Sequence, residues 1–345
     1  MDLVDSALMQ STPDMDTFQA KIAVCGCGGG GSNTVQRLAK MGVKGAMLCA
    51  VNTDVNHLKL LDPSIRKIMI GGALTRGLGA GGFPEIGAKA AQYSRSDIED
   101  VLRDSNLVFV TAGMGGGTGT GSAPIVAEVA KAQGAIVIGI VTMPFSLERV
   151  RLVTAQKGIQ ELRKHVDTLI VVDNQRLYEL YPNLAMDQAF KVADEVASRA
   201  VRGIAETINT PSLINLDFAD VKSIMNGGDL AFISIGEGRG TNKVKDVIED
   251  TFRNKLLNVD YEGASAVLLN IIGGEDMTLG EANEIGLGLT NVTSPNANVL
   301  WGARIDPAYN GKVNVVAIFT GIKSASILGS NDDETAPGRD GLQRI

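Results

Sequence analysis

Two stretches of the chain carry residue types spaced for chemistry. The first is Gly113-Met114-Gly115-Gly116-Gly117-Thr118-Gly119-Thr120-Gly121, with glycine at most positions and two hydroxyls among them. Glycine permits left-handed dihedrals and lets an anion approach the backbone closely, so this run reads as a phosphate cradle of N–H groups. It lacks the Gly-Lys-Ser/Thr ending of a Walker loop. The second is Asn215-Leu216-Asp217-Phe218-Ala219-Asp220-Val221. Two carboxylates three residues apart, beside an amide, can polarise a water or hold a cation. The same spacing suits a helix start, with Asp217 as cap and Asp220 at the third position. Spacing alone leaves both readings open.

The cradle follows the apolar run 107–112, which reads as a buried parallel strand, and a helical pattern begins near Ser122. The cradle is then a strand-to-helix turn, where unpaired N–H groups and the helix dipole favour an anion. Upstream, residues 21–26 begin a first strand that runs into Gly28-Gly29-Gly30-Gly31-Ser32-Asn33 and a helix through Val35, Leu38 and Met41. A second strand, 46–51, ends at Asn52-Thr53-Asp54. There Asp54 suits either a ribose hydroxyl or the N-cap of a helix over 55–61. A third strand, 67–70, precedes the loop Gly77-Leu78-Gly79-Ala80-Gly81-Gly82.

Strands at 135–141 and 169–172 flank a charged helix from Leu147 to Lys164. The alternation to this point predicts a mainly parallel sheet covered on both faces. A long helix from Asp187 to about Asn209 has apolar residues on more than one face and reads as a spine between two bodies. Beyond it, strands at 230–235, 264–272, 298–305 and 312–319 and helices at 242–257 and 279–289 predict a small α+β sandwich. From Ser324 the chain is polar and reads as a flexible tail. Its end, Gly341-Leu342-Gln343-Arg344-Ile345, suits a partner contact or a frayed terminus equally.

At 345 residues the chain is long enough for two cored units. A net charge of -7 argues against non-specific nucleic-acid binding. Cys25, Cys27 and Cys49 make an odd set, and the histidines number two, which argues against a disulfide framework and a zinc site. The cysteines read as small buried strand residues, and His57 and His165 fall in ordinary helical surroundings. No apolar run reaches membrane-spanning length and no basic-then-apolar leader opens the sequence. The expectation is a cytoplasmic protein without direct membrane insertion.

The motifs Gly28–Asn33, Asn52-Thr53-Asp54, Gly79-Ala80-Gly81-Gly82, Gly115–Gly121 and Asn215–Val221 together resemble those of the FtsZ family, prokaryotic relatives of tubulin, over residues 21–322. Residues 1–20, short on core signals, read as a loosely attached arm rather than a brief amphipathic helix. The resemblance implies a parallel-sheet, Rossmann-like GTP-binding domain (21–186). A central helix (187–209), a smaller α+β domain (210–322) and a tail (323–345) follow. It implies a GTPase that assembles head to tail into filaments of the mid-cell division ring, with GTP or GDP and Mg²⁺ at its site.

By the same match, Gly29, Gly30, Gly31, Ser32 and Asn33 hold phosphates, as do Gly115, Gly116, Gly117, Thr118, Gly119, Thr120 and Gly121. Asn52, Asp54, Gly79, Ala80, Gly81, Pro144 and Asn174 complete the nucleotide site. Glu148 meets the ribose, Phe190 stacks on guanine and Asp194 hydrogen-bonds to it. No protein metal-ligand set is expected. Many bacterial members carry an arginine four residues after the glutamate; Leu152 stands there, and Arg151 fills the role in a pattern closer to archaeal members. Asn215, Asp217 and Asp220 of one subunit are implied to reach the GTP of the next and position the attacking water. The tail lacks the anchor-binding peptide of bacterial members, and residues 341–345 are expected to meet a SepF-like membrane-anchor adaptor.

Two rival readings remain at this stage. A dinucleotide-dependent oxidoreductase would account for the first glycine loop and Asp54, but leaves residues 115–121 and the paired aspartates without a use. A tubulin-like filament with a cell-shape role is separated from the division reading by localisation in dividing cells.

Overall fold

Short runs rich in Val and Ile, four of them ending at Gly, Asn or Asp, form most of the strands, as burial on both faces favours. The computed structural model describes residues 20–180, 182–183, 185–209, 218–225, 229–253 and 264–322. The expected arm before residue 20, Asn215, Asp217 and the tail from 323 lie outside these residues.

The first part alternates β1 (Ile22–Cys27), α1 (Gly28–Met41), β2 (Ala46–Asn52), α2 (Val55–Leu60), β3 (Arg66–Met69), α3 (Pro84–Tyr93) and α4 (Arg95–Leu102). It continues with β4 (Leu107–Gly113), α5 (Thr118–Ala132), β5 (Ile136–Met143), α6 (Arg149–Arg163), β6 (Thr168–Asp173) and α7 (Asn174–Leu180). Next come α8 (Met186–Asn209), α9 (Phe218–Met225), β7 (Asp229–Arg239) and α10 (Lys243–Arg253). The chain closes with β8 (Ala266–Gly273), α11 (Leu279–Thr290), β9 (Asn298–Ile305) and β10 (Lys312–Ile322).

These strands make one sheet in the order β3-β2-β1-β4-β5-β6-β7-β10-β8-β9. From β3 to β6 every pairing is parallel, with Cys25 between Cys49 and Val110. The connection order reverses between β1 and β4, and that crevice, at the carboxyl ends of the strands, is where open α/β sheets take ligands. β7 joins parallel to β6 over Thr168–Ile170, β10 runs antiparallel to β7 and β8, and β9 is parallel to β8. The strands expected to form a separate sandwich thus extend the same sheet.

Side chains alternate between two cores, as the twofold repeat of a strand demands. Cys25, Cys49, Val51, Val108 and Val110 face one side with α3 and α5. Val24, Leu48, Phe109 and Ile138 face the other, with α1 and α8. A fully buried side chain such as Phe109 contributes about 1.5–3 kcal/mol. Across the β7–β10 pair Phe232 and Phe319 stack at 4.8 Å.

The spine helix α8 buries Val196, Ala197, Ala200, Val201, Ile204 and Ala205. Ser198 Oγ donates to Thr34 O of α1 at 3.4 Å, and Asn270 Nδ2 of β8 donates to Gly203 O at 2.8 Å. One helix therefore bonds both to α1, over the parallel part of the sheet, and to β8 in its other part.

Candidate nucleotide site

Two helix N-termini meet at the β1/β4 crevice. The first glycine run, expected as a turn, is already helical, with α1 beginning at Gly28; the second is a turn over 114–117, with α5 beginning at Thr118 rather than near Ser122. Glycine and threonine carry no apolar period, so the pattern could not mark these first turns. Neither helix has a side-chain cap or an acidic residue in its first turn. Their leading N–H groups are therefore left for a ligand, and both dipoles favour an anion. The two turns touch backbone to backbone. Gly28 has φ +68°, and a Cβ there would lie 2.5 Å from Gly119 N, so only glycine fits.

A cavity of about 450 Å³ opens beside these termini, a size that suits a small-molecule ligand. Gly29, Gly30, Asn33, Gly116, Gly117, Thr118 and Gly119 line its anion end. Pro144, Glu148, Arg151, Asn174 and Asp194 line the remainder, with Gly113, Met114, Thr142 and Met143 from the ends of β4 and β5. Gly116 has no atom within 4 Å of where its side chain would stand.

The polar groups of the wall are set by their neighbours. Glu148 accepts from Phe145 N at 3.1 Å through Oε1 and from Arg151 Nη1 at 2.5 Å through Oε2. The spacing of three residues puts both on one face of the first turn of α6 and makes this pair possible. Burial pushes the Asp194 carboxyl up to about 6, against the opposing pull of the Arg37 guanidinium and the Thr34 hydroxyl. Burial also raises the carboxyl of Asp173 at the end of β6. Asn174 Oδ1 is buried with no hydrogen-bond partner among the described residues. A buried acceptor in that state is available to a donor on a ligand in the cavity that Asn174 lines.

Several of the other residues singled out from the sequence stand behind the cavity wall. A Cβ on Gly31 would lie 2.2 Å from Thr111 O, so α1 is pressed directly onto β4, and Ser32 beside it is fully buried. Thr120 Oγ1 accepts from Gly115 N at 2.9 Å, which holds the left-handed turn at Gly115 (φ +93°). Gly121 packs on the Pro84 carbonyl of α3, and the buried Ala80, between Gly79 and Gly81, packs behind Gly117. Asp54 caps α2 through Asn56 N at 2.9 Å and His57 N at 3.1 Å, while Asn52 Oδ1 accepts from Asp54 N at 3.3 Å. Phe190 belongs to α8 about one turn before Asp194, with its side chain outside what is described. Asp220 sits in the first turn of α9.

Two residues that pattern reading passed over hold cavity-lining side chains. Thr53 Oγ1 lies 2.6 Å from Thr118 Oγ1. His57, expected in ordinary helical surroundings, instead places Nε2 3.2 Å from Asn33 Oδ1. A six-residue helix such as α2 is too short for its faces to be read from sequence. Thr142 and Met143 carried one usable signal, their position at the carboxyl end of a strand beside the switch point.

Two family models match the chain: the Tubulin/FtsZ family GTPase domain over residues 21–182 and the FtsZ family C-terminal domain over residues 229–323. The chain is 52% identical to cell division protein FtsZ 2 of Methanocaldococcus jannaschii, over 98% of this chain and 90% of the relative. It is 50% identical to FtsZ 2 of Haloferax volcanii, over 92% and 79%. Its fold matches a solved empty FtsZ dimer from M. jannaschii with TM-score 0.85 and 45% identity, covering 93% of each chain. With a nucleotide-sized cavity at the meeting point of two uncapped helices and matches along almost its whole length, the chain belongs to the FtsZ family of cell-division GTPases.

Proposed function

We propose that the chain stacks head to tail with copies of itself, and that GTP is hydrolysed only where one copy completes the cavity of the next. The observation that carries this reading is that the cavity and α9 stand at opposite ends of the strands. Asp194 lines the cavity, and α8 runs from it to Asn209, whose Nδ2 donates to Ala20 O and Gly45 O beside the starts of β1 and β2. α9 ends at that same edge, where Met225 O accepts from Thr168 Oγ1 at the start of β6. Asp220 therefore stands away from its own cradle, and a copy translated along the strands brings it to its neighbour's. Such a contact does not close, so it propagates as a filament. The solved M. jannaschii relative is described as a dimer, in keeping with self-association of that protein.

In this reading the two N-termini hold the phosphates, Glu148 and Arg151 meet the ribose, and Asp194 accepts from the N–H edge of guanine while Phe190 stacks on it. Asp220 of the next copy, with Asn215 and Asp217, positions the attacking water, which is the main protein contribution in phosphoryl transfer. Among the described residues no group of His, Cys, Asp and Glu could hold a metal unaided. Mg²⁺ fits as an ion carried on the phosphates with water ligands, where it would neutralise charge.

The chain divides for this work into a nucleotide domain (21–186), the central helix and an α+β domain (210–322). Residues 341–345 dock a SepF-like adaptor that brings the filament to the mid-cell membrane from the cytoplasm. Deleting residues 338–345 should abolish adaptor binding and spare GTPase activity; unchanged adaptor affinity overturns that role. The stacking itself is tested by GTP turnover per subunit against protein concentration, beside pelleting of polymer. Turnover should appear only above a threshold, and turnover that is flat at all concentrations overturns the shared site.

A further inference from the structure

His57 is the one imidazole near the cavity, and its two nitrogens are both engaged. Nδ1 lies 3.4 Å from Asn52 Nδ2, and Nε2 lies 3.2 Å from Asn33 Oδ1. The direction of these bonds follows from the backbone. Asn52 Oδ1 accepts from Asp54 N at 3.3 Å, which turns the Asn52 amine toward His57. An amine only donates, so Nδ1 must be the unprotonated, accepting nitrogen. The ring proton is then on Nε2 and is donated to Asn33 Oδ1. With its oxygen taken, Asn33 has only the Nδ2 amine left to turn into the cavity it lines. That amine is a donor, the type of group a phosphate needs. The ring also lies over the first turn of α1: its Cε1 is 3.6 Å from where a Cβ on Gly29 would stand.

We propose that His57 is a positioning residue for nucleotide binding: as the Nε2–H tautomer it aims the Asn33 amine at the phosphates. The chain of bonds runs from Asp54 N through Asn52 and His57 to Asn33, so the capped end of β2 sets the donor direction on α1. This rests on the nucleotide occupying the β1/β4 cavity. Without His57 the Asn33 amide rotates freely and presents oxygen to the anion half the time.

The experiment uses the full chain and a fluorescent GDP, below the assembly threshold. Wild type should bind, and His57→Ala should bind about twofold more weakly, since about half of the freely rotating Asn33 amides still present the amine. Asn33→Ala should lose at least as much, and the double variant should be no worse than Asn33→Ala alone. His57→Gln, which offers an N–H near the Nε2 position, should restore most of the affinity, whereas His57→Asn, which reaches only the Nδ1 position, should not. Because the chain has 2 histidines, ¹⁵N-histidine NMR of unmutated protein reads the tautomer directly, with His57→Gln assigning the signal. An Nδ1–H tautomer, additive losses at 33 and 57, or equal affinity of the Gln and Asn variants would overturn the proposal. Failure of wild type to bind GDP would instead remove the site on which it rests.

Discussion

Asp194 and Asn209 stand about 22 Å apart along α8 at 1.5 Å per residue, one in the wall of the cavity and the other bonded to Gly45 at the far edge of the sheet. A single helix thus spans the distance between the cavity wall and the sheet edge at which α9 ends. Removing Asp220 should therefore separate binding from hydrolysis. Asp220→Ala is expected to bind GTP and pellet as polymer as wild type does, with turnover reduced about 100-fold or more, the scale for loss of one preorganised group. Mixing it with a variant crippled at the cradle should restore part of the turnover, since each mixed contact can pair an intact cavity with an intact Asp220. Absence of any recovery in such mixtures would place both groups in one subunit's site.

The carboxyl of Asp194 is pushed up to about 6 by burial, and in the role proposed for it on the guanine edge it should give nucleotide affinity a pH dependence. Only the carboxylate accepts the two N–H groups of guanine. At pH 5 about a tenth of the free protein carries it, so affinity should fall about tenfold from its value at pH 7.5. The stability of the free protein runs the other way. A folded value above the unfolded 3.8 means that this group's contribution is full below 3.8 and is lost as pH rises through about 6. Asp194→Asn should therefore melt higher than wild type at pH 7.5 without nucleotide, while binding GDP weakly and with a flatter pH profile. Calorimetry of both proteins at the two pH values checks each sign.

Much of this arrangement was legible in the sequence because it rests on backbone chemistry. The glycine run at 113–121 pointed to the strand-to-helix turn that lines the cavity, and the alternation of apolar strands with helices announced the parallel sheet that places it. What pattern could not supply was orientation. Nothing in the spacing of Gly31, Ser32, Thr120 and Gly121 separates residues that line the cavity from those that support it, because both need small side chains. The helix starts at Gly28 and Thr118 were invisible for the same reason. Asp54 had two readings, ribose or N-cap, and its bonds to Asn56 N and His57 N are those of the cap. His57 was passed over because its partners, Asn33 and Asn52, come from two other elements.

The close seat of α3 against the cradle leads to a paired test with glycines. A Cβ on Gly87 would lie 2.4 Å from Gly117 O, so α3 braces the cradle with backbone alone. Gly87→Ala should destabilise the protein by about 1–3 kcal/mol, as overpacking does, and should weaken GDP binding because the carbonyl that must move belongs to the cradle. Gly286, in α11, has no atom within 4 Å of its missing side chain. There the same substitution should add about 0.5–1 kcal/mol through helix propensity and leave GDP binding untouched. Thermal melts with GDP titrations separate the two; equal effects would mean that α3 does not support the cradle.

At the start of α10, Lys243 is buried and gathers two carboxylates. Its Nζ lies 2.6 Å from Asp276 Oδ2 and 3.3 Å from Glu281 Oε1, and Asp276 Oδ1 also accepts from Gly311 N at 3.0 Å. One cation thereby ties the start of α10 to the β8–α11 and β9–β10 loops. The hydrogen bond from Lys243 holds the Asp276 carboxyl below its usual 3.8, and the same bond raises Lys243 above 10.5. The contribution of Asp276 is thus present above 3.8 and is lost as pH falls through the lower folded value, and that of Lys243 is lost as pH rises through a value above 10.5. Lys243→Met keeps the buried stem and removes the charge. It should lower the melting temperature at pH 7, and the gap from wild type should narrow as the pH is taken below 3.8, where wild type loses the same bond. A gap that stays constant through that acid range would mean that the stem, rather than the ion pair, is what Lys243 contributes.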